Sequence, residues 1–236
     1  HREAFELCRR AIENMPATIS DEEKVKVLLL FSEAAGNVDR NAVMADFAAR
    51  ARELALRIGH PFAAIEALAN LTNSARRHGQ PITARRDLTR RLLNEIDAAP
   101  ADPMRDEFRI YGLQTLALVE MDASRFTEAR ALLMEGRELS VRTNHSAETP
   151  RLDQYIAQLD IIDGHAAEGL ATIRAIGETV RANGREDTGV GCYRDVAMLA
   201  MRAMDFREAS VGLAEGLRYA ESVEQTLCGH FLQPSE

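Results

Sequence analysis

Ser124-Arg125-Phe126-Thr127-Glu128-Ala129, followed by Arg130-Ala131-Leu132-Leu133, is the stretch whose reading decides the fold. It runs from a small residue at a turn, through a short run, to an alanine that opens an apolar stripe. The same anchor recurs as Gly79-Gln80-Pro81-Ile82-Thr83-Ala84, as Gly164-His165-Ala166-Ala167-Glu168-Gly169 and as Met204-Asp205-Phe206-Arg207-Glu208-Ala209. A weaker copy is Asn37-Val38-Asp39-Arg40-Asn41-Ala42. The small residues fall at 42, 84, 129, 169 and 209, in steps of 42, 45, 40 and 40. A near-constant step of this length, with two helices in each, is the signature of a solenoid.

The anchor has a simple physical reading. Its small residue sits where the second helix of a hairpin crosses the first, and a large side chain there would push them apart. Phe126 and Phe206 are expected to fill the gap beside the turn. Glu128, Glu168 and Glu208 fall in the first helical turn, where a negative charge is favourable. Each hairpin leaves an apolar side that the next hairpin covers. Apolar residues recur at three and four rather than in alternation, so strands are not expected. The pattern predicts residues 1–14 as the second helix of an earlier hairpin. First helices are expected near 22–35, 62–78, 104–121, 151–163 and 190–204, and their partners near 40–58, 82–98, 125–143, 166–183 and 206–222. Ser20 before Asp21-Glu22-Glu23 reads as a capped helix start. The glycine cluster from Gly184 to Gly191 reads as a loop with Thr188 as an N-cap. The Met198, Met201 and Met204 stripe reads as core. The expected class is therefore all-α: a right-handed α-α superhelix, a solenoid of about five hairpins forming one domain over 1–236. Leu227, Phe231 and Leu232 read as the start of another first helix, which makes the sequence a fragment of a longer chain.

Composition agrees. Apolar residues make up 46% and aromatics only 5%, with no Trp, so small side chains must do most of the packing. The formal charge of −8 disfavours a phosphate backbone as a partner, so DNA would be met only through domains outside this segment. Arg76, Arg77, Arg85, Arg86, Arg90 and Arg91 could form a local basic patch, against the plainer reading of a solvated outer face. Cys8, Cys192 and Cys228 show neither metal-ligand nor redox spacing, which fits a reducing cytoplasm. No apolar run is long enough to span a membrane.

The segments Arg125 to Leu133 and Asp205-Phe206-Arg207-Glu208-Ala209-Ser210-Val211-Gly212-Leu213 resemble the second helices of tetratricopeptide-like repeats. Those repeats commonly step by about 34 residues. The longer step here resembles the helical region of large ATP-binding bacterial regulators of the LuxR type. Gly212-Leu213-Ala214-Glu215-Gly216-Leu217-Arg218-Tyr219-Ala220-Glu221 is similar to a segment that precedes a first helix in that family. The resemblance implies a sensor region between a nucleotide-binding domain and a helix-turn-helix domain. The family's diagnostic motifs lie outside this sequence, so no residue role follows from it.

Catalytic patterns are missing. The Gly184 to Gly191 cluster lacks the lysine ending of a phosphate-binding loop, and the six histidines are scattered, mostly at turns. No enzyme activity, metal or cofactor is expected of this segment. A binding surface is expected instead, on the concave face lined by first helices. Its candidates are Asn70, Asn73 and Arg77, then Arg109, Tyr111 and Gln114, then Gln154, Tyr155 and Gln158, then Tyr193, Arg194 and Asp195. Asn70, Asn73 and Arg77 share a helix face by spacing. Such a groove would hydrogen-bond a peptide, a protein segment or a small effector. Repeat length and the resemblance favour a sensor domain of a transcriptional regulator; the alternatives are a stand-alone scaffold for peptides or proteins and an accessory region of an enzyme with no chemistry of its own.

Overall fold

The computed structural model describes residues 2–16, 18–145, 147–183 and 186–222. Those residues form eleven helices and no strand. They are α1 (Arg2–Glu13), α2 (Asp21–Gly36), α3 (Asn41–Arg57), α4 (Pro61–Arg77), α5 (Ile82–Ala98) and α6 (Pro103–Asp122), followed by α7 (Phe126–Arg142), α8 (Thr149–Ile162), α9 (Ala166–Ala182), α10 (Glu186–Arg202) and α11 (Phe206–Ser222). The chain gathers into two compact units, one ending at Leu139 and the other beginning at Ser140. Leu227, Phe231, Leu232 and Cys228 lie outside the described residues.

Local chemistry places the helix ends. Ser20 and Glu23 form a capping box: the Glu23 N–H donates to Ser20 Oγ, and the Ser20 N–H donates to the Glu23 carboxylate. Proline opens α4, α6 and α8, where its missing N–H costs nothing. Seven connections end a helix in one way. A residue with positive φ follows the helix: Asp39, Gly59, Gly79, Ser124, Asn144, Gly164 or Met204. The next N–H then bonds back five residues, as from Arg40 to Ala35, from Arg125 to Glu120 and from Asp205 to Ala200. This closure satisfies helix-end carbonyls while it turns the chain.

Packing is dominated by small residues, as the composition requires. In the first unit Ala51 and Ala55 of α3 and Ala63, Ala64 and Ala67 of α4 cluster with Val25, Leu28 and Leu29 of α2. In the second unit Ala157, Ile173, Cys192, Val196 and Ala200 form the core between α8, α9 and α10. Ala129, Gly169 and Ala209 are buried, each at the fourth position of its helix. The two earlier anchors are corrected by the structure. Ala42 and Ala84 are exposed, and the fourth positions of α3 and α5 belong to Met44 and Arg85, buried at 2% and 8%. At the first of these the small residue has moved across the crossing: a Cβ on Gly36 would lie 2.8 Å from the Met44 sulfur.

Three further expectations are corrected. Residues 186–191 belong to α10, so Thr188 is a buried helical residue and not an N-cap in a loop. Gly189 leaves room for an aromatic ring, since a Cβ there would lie 2.8 Å from Cε1 of Tyr219. The Met198, Met201 and Met204 stripe is exposed, at 41%, 56% and 70%, because α10 turns its valines and alanines to the core instead. Phe206 is also exposed and fills no gap beside its turn.

Candidate functional site

First helices pack side by side within each unit. α4 lies against both α2 and α6 in the first, and α8 lies against α10 in the second. These inner contacts carry most of the side chains singled out by sequence.

On α4 of the first unit, Asn70 and Asn73 are half-buried. Asn73 Oδ1 accepts from Arg76 Nη2 at 3.3 Å. Arg77 reaches α2 instead of open solvent: its Nη1 donates to the Gly36 carbonyl at 2.5 Å and to Asp39 Oδ1 at 3.3 Å. That cation closes the carbonyl end of α2, where a positive charge is favourable. On α6 the Tyr111 hydroxyl donates to the Ala69 carbonyl of α4 at 3.5 Å, a long bond between the two first helices. Gln114 is buried at 5%, and its Oε1 has no hydrogen-bond partner among the described residues. Arg109 does not join this group. It pairs with Asp97 of α5 and with Glu135 of α7, the latter at 2.9 Å, so it braces second helices.

In the second unit the structure brings four of the expected residues together. Gln154 and Gln158 of α8 both donate Nε2–H to Asp195 Oδ2 of α10, at 2.8 and 2.7 Å. Arg194 donates Nε–H and Nη2–H to Asp195 Oδ1, at 3.0 and 2.9 Å. Asp195 is buried at 7%, so its charge is held by four N–H donors rather than by water. The cluster fixes α8 to α10 and orients two amides on the first-helix layer. Tyr155 is half-buried beside it on α8. Tyr193 points elsewhere. It is buried at 5% and meets Tyr219 of α11 edge to face, with ring centroids 5.7 Å apart.

Ion pairs that the sequence reading did not identify organise the second helices. Arg52 is buried at 9% and donates to the Ala64 carbonyl at 2.8 Å and to both oxygens of Glu95, at 2.7 and 2.8 Å. Arg86 grips Glu120 through two parallel bonds of 2.6 and 2.7 Å, and Arg85 pairs with Asp122 at 2.7 Å. The Arg86 hydrogen bonds hold the Glu120 carboxyl below its usual range. Arg174 bridges Glu208 and Glu215 on α11, the latter at 3.1 Å. Arginines 85, 86 and 91 of the candidate basic patch therefore spend their charge on carboxylates of this chain. Arg91 and Glu95 are four apart on α5, a spacing legible in the sequence, whereas the pairs of Arg52, Arg85 and Arg86 span 34 to 43 residues, close to one repeat.

Burial, and then the charge of Asp195, push the Cys192 thiol up to about 12, so it stays protonated and inert near neutrality. The His60 Nδ1 caps α4 by accepting from the Ala63 N–H at 3.3 Å. Among the described residues no group of three His, Cys, Asp or Glu could hold a metal ion. No described helix is long and apolar enough to cross a membrane.

No protein-family model matches the chain, and no curated protein matches it by sequence. Solved structures do match. The chain is similar to the Rap conjugation gene regulator of the plasmid pLS20 in complex with the Phr* peptide, with a TM-score of 0.69 at 13% identity over 97% of this chain. It spans 65% of that regulator's length. It is similar to a Rap protein complexed with Competence and Sporulation Factor, with a TM-score of 0.68 at 7% identity, covering 94% of this chain and 70% of the other. It is also similar to TPR-like kinesin light chain repeats from Podosopora anserina, with a TM-score of 0.54 at 10% identity, covering 88% of this chain and all of the other. At these identities the likeness shows the fold: this chain is an α-α solenoid of tetratricopeptide-like repeats.

Proposed function

We propose that this chain is a non-catalytic repeat segment that binds a peptide or protein partner along its first helices. The observation that carries this reading is the face that the first helices α4 and α6 form within the first unit. Asn70 and Asn73 are half-buried on α4, and the Tyr111 hydroxyl of α6 reaches the neighbouring Ala69 carbonyl. Within the second unit, taken by itself, Gln158 is half-buried on α8 with its amide held by Asp195, while Gln154 is buried behind it. Side-chain amides of this kind can satisfy the N–H and C=O groups of an extended chain. The fold supports the same reading, since one similar structure holds the Phr* peptide.

The finer proposal is that the segment is the sensor region of a LuxR-type regulator. The step of 40 to 45 residues supports it, together with the Gly212 to Glu221 segment. Partner binding would shift the equilibrium between two arrangements of the repeats and so control neighbouring domains, the DNA-binding one among them. A stand-alone scaffold is the second reading. The likeness to kinesin light chain repeats, whose full length this chain spans, favours it.

Selection of a random peptide library on the immobilised chain tests the first claim. Enriched peptides are then titrated by fluorescence anisotropy against the parent and against Asn70→Ala, Asn73→Ala and Tyr111→Ala together. Affinity should fall by at least about tenfold in the triple variant. Peptides that bind the triple variant as tightly as the parent, or the recovery of none, would sink the groove. Sequencing the parent gene separates the two finer readings: a phosphate-binding loop upstream with a helix-turn-helix downstream supports the regulator.

A further inference from the structure

The first unit contains a cleft that shares none of the α4 and α6 residues described above. α1, α2 and α3 enclose about 330 Å³ between them. α1 packs along α2 and barely meets α3, which leaves the space open. The floor is apolar. Leu28 and Leu54 lie there, buried at 7% and 8%, and Ile12 and Met15 of the α1 end form one wall. The rim is mostly cationic, with Lys24, Arg50 and Arg57 against a single lining carboxylate, Glu53.

The cations are incompletely satisfied. Asp21 serves two of them, accepting from Lys24 at 3.0 Å and from Arg57 at 3.3 Å. Arg50 meets the carboxylate of Asp46 only at 3.7 Å, beyond hydrogen-bond distance. Its guanidinium also lies over the Phe47 ring, 4.6 Å from the centroid, a contact that leaves its edge N–H groups available. Arg50 and Arg57 are two helical turns apart, so they flank Leu54 on one face of α3. Each guanidinium carries five N–H donors in a planar fork suited to a carboxylate. The volume is at the lower end of the range of roughly 300–1,000 Å³ found for ligand clefts, which limits the occupant to a small molecule.

We infer that this cleft binds a small amphipathic carboxylate, with its aliphatic tail on Leu28 and Leu54 and its charged end on the guanidiniums of Arg50 and Arg57. Glu53 opposes the ligand charge and keeps the site weak. Aliphatic amines are excluded by the same rim, and aliphatic alcohols gain only the floor.

Calorimetric titration of the full chain with octanoate, octanol and octylamine tests this. Octanoate should bind one to one, octanol at least about tenfold more weakly, and octylamine not measurably. Arg50→Ala with Arg57→Ala should weaken octanoate by about tenfold and leave octanol unchanged. Both arginines are exposed, so the fold survives their loss, and circular dichroism of the variant confirms that it has. Glu53→Gln should tighten octanoate by about twofold to threefold without affecting octanol. Equal affinity for octanoate and octanol, unchanged octanoate binding in the double arginine variant, or no octanoate binding at millimolar concentration would each overturn the assignment. The peptide-selection test bears on Asn70, Asn73 and Tyr111 alone, so either reading can fail without the other.

Discussion

Replacing Gly169 by alanine tests how closely α8 and α9 approach. A Cβ there would stand 2.7 Å from the Ala157 carbonyl oxygen and 2.5 Å from Cγ1 of Ile161. The isoleucine can rotate, but the carbonyl belongs to the α8 backbone and moves only if the whole helix shifts. Alanine is the better helix former by about 1 kcal/mol, which works in its favour. Overpacking a close crossing costs about 1–3 kcal/mol, and a backbone obstacle places this case at the upper end. The net expectation is a loss of about 1–2 kcal/mol, or roughly 2–8 °C in Tm for a chain of this size. Gly191 is the internal control. It is also helical, in α10, and a Cβ there meets nothing within 4 Å. Gly191→Ala should therefore stabilise by up to about 1 kcal/mol. Thermal and urea unfolding followed by far-ultraviolet circular dichroism give both values. If Gly169→Ala proves as stable as the parent, the close-crossing argument for the small-residue anchor is wrong.

Met204 holds φ at 62° and is 70% exposed, so Met204→Gly should raise stability by about 1 kcal/mol, read as a higher urea midpoint. The same change at Asn144 should give much less, because asparagine tolerates that region; equal gains at both positions would contradict the strain argument. Asp195→Ala leaves the Gln154, Gln158 and Arg194 donors without their acceptor and should cost about 2 kcal/mol in the same assay. The pH dependence separates two carboxylates. Burial, and then the charges of Glu33 and Glu107, raise the Glu66 carboxyl, so its contribution favours folding below the unfolded value of about 4.3 and is lost as pH rises through the folded one. Glu66→Gln should thus stabilise at neutral pH and make no difference in acid. Glu120, lowered by Arg86, behaves oppositely: its contribution is present above about 4.3 and lost as pH falls through the folded value. Glu120→Gln should destabilise at neutral pH, with the difference shrinking in acid. Parallel pH profiles for the two variants would refute this assignment.

The sequence by itself determined the helices and their pairing into hairpins. Apolar spacing, prolines at helix starts and glycines at turns act within a few residues, so Gly59, Gly79 and Gly164 marked connections before any packing was known. It also determined the buried small residues Ala129, Gly169 and Ala209; at Gly169 and Ala209 the covering groups come from the preceding helix of the same hairpin. Where the compensating residue sits on the other helix, the local pattern misled. Met44 occupies its crossing because Gly36 has made room, and Gly189 lies in a helix because Tyr219 of α11 needs the space. Of the candidate groove, the polar positions on α4, α6, α8 and α10 were legible from helix spacing alone. That Gln154, Gln158 and Arg194 converge on Asp195, while Arg109 and Tyr193 turn to second helices, was not. Those outcomes depend on which helix lies across from which, at separations from 12 to 41 residues that no local pattern encodes. Only the tertiary structure decides them, because a buried charge takes whatever donors the neighbouring helix presents at that level.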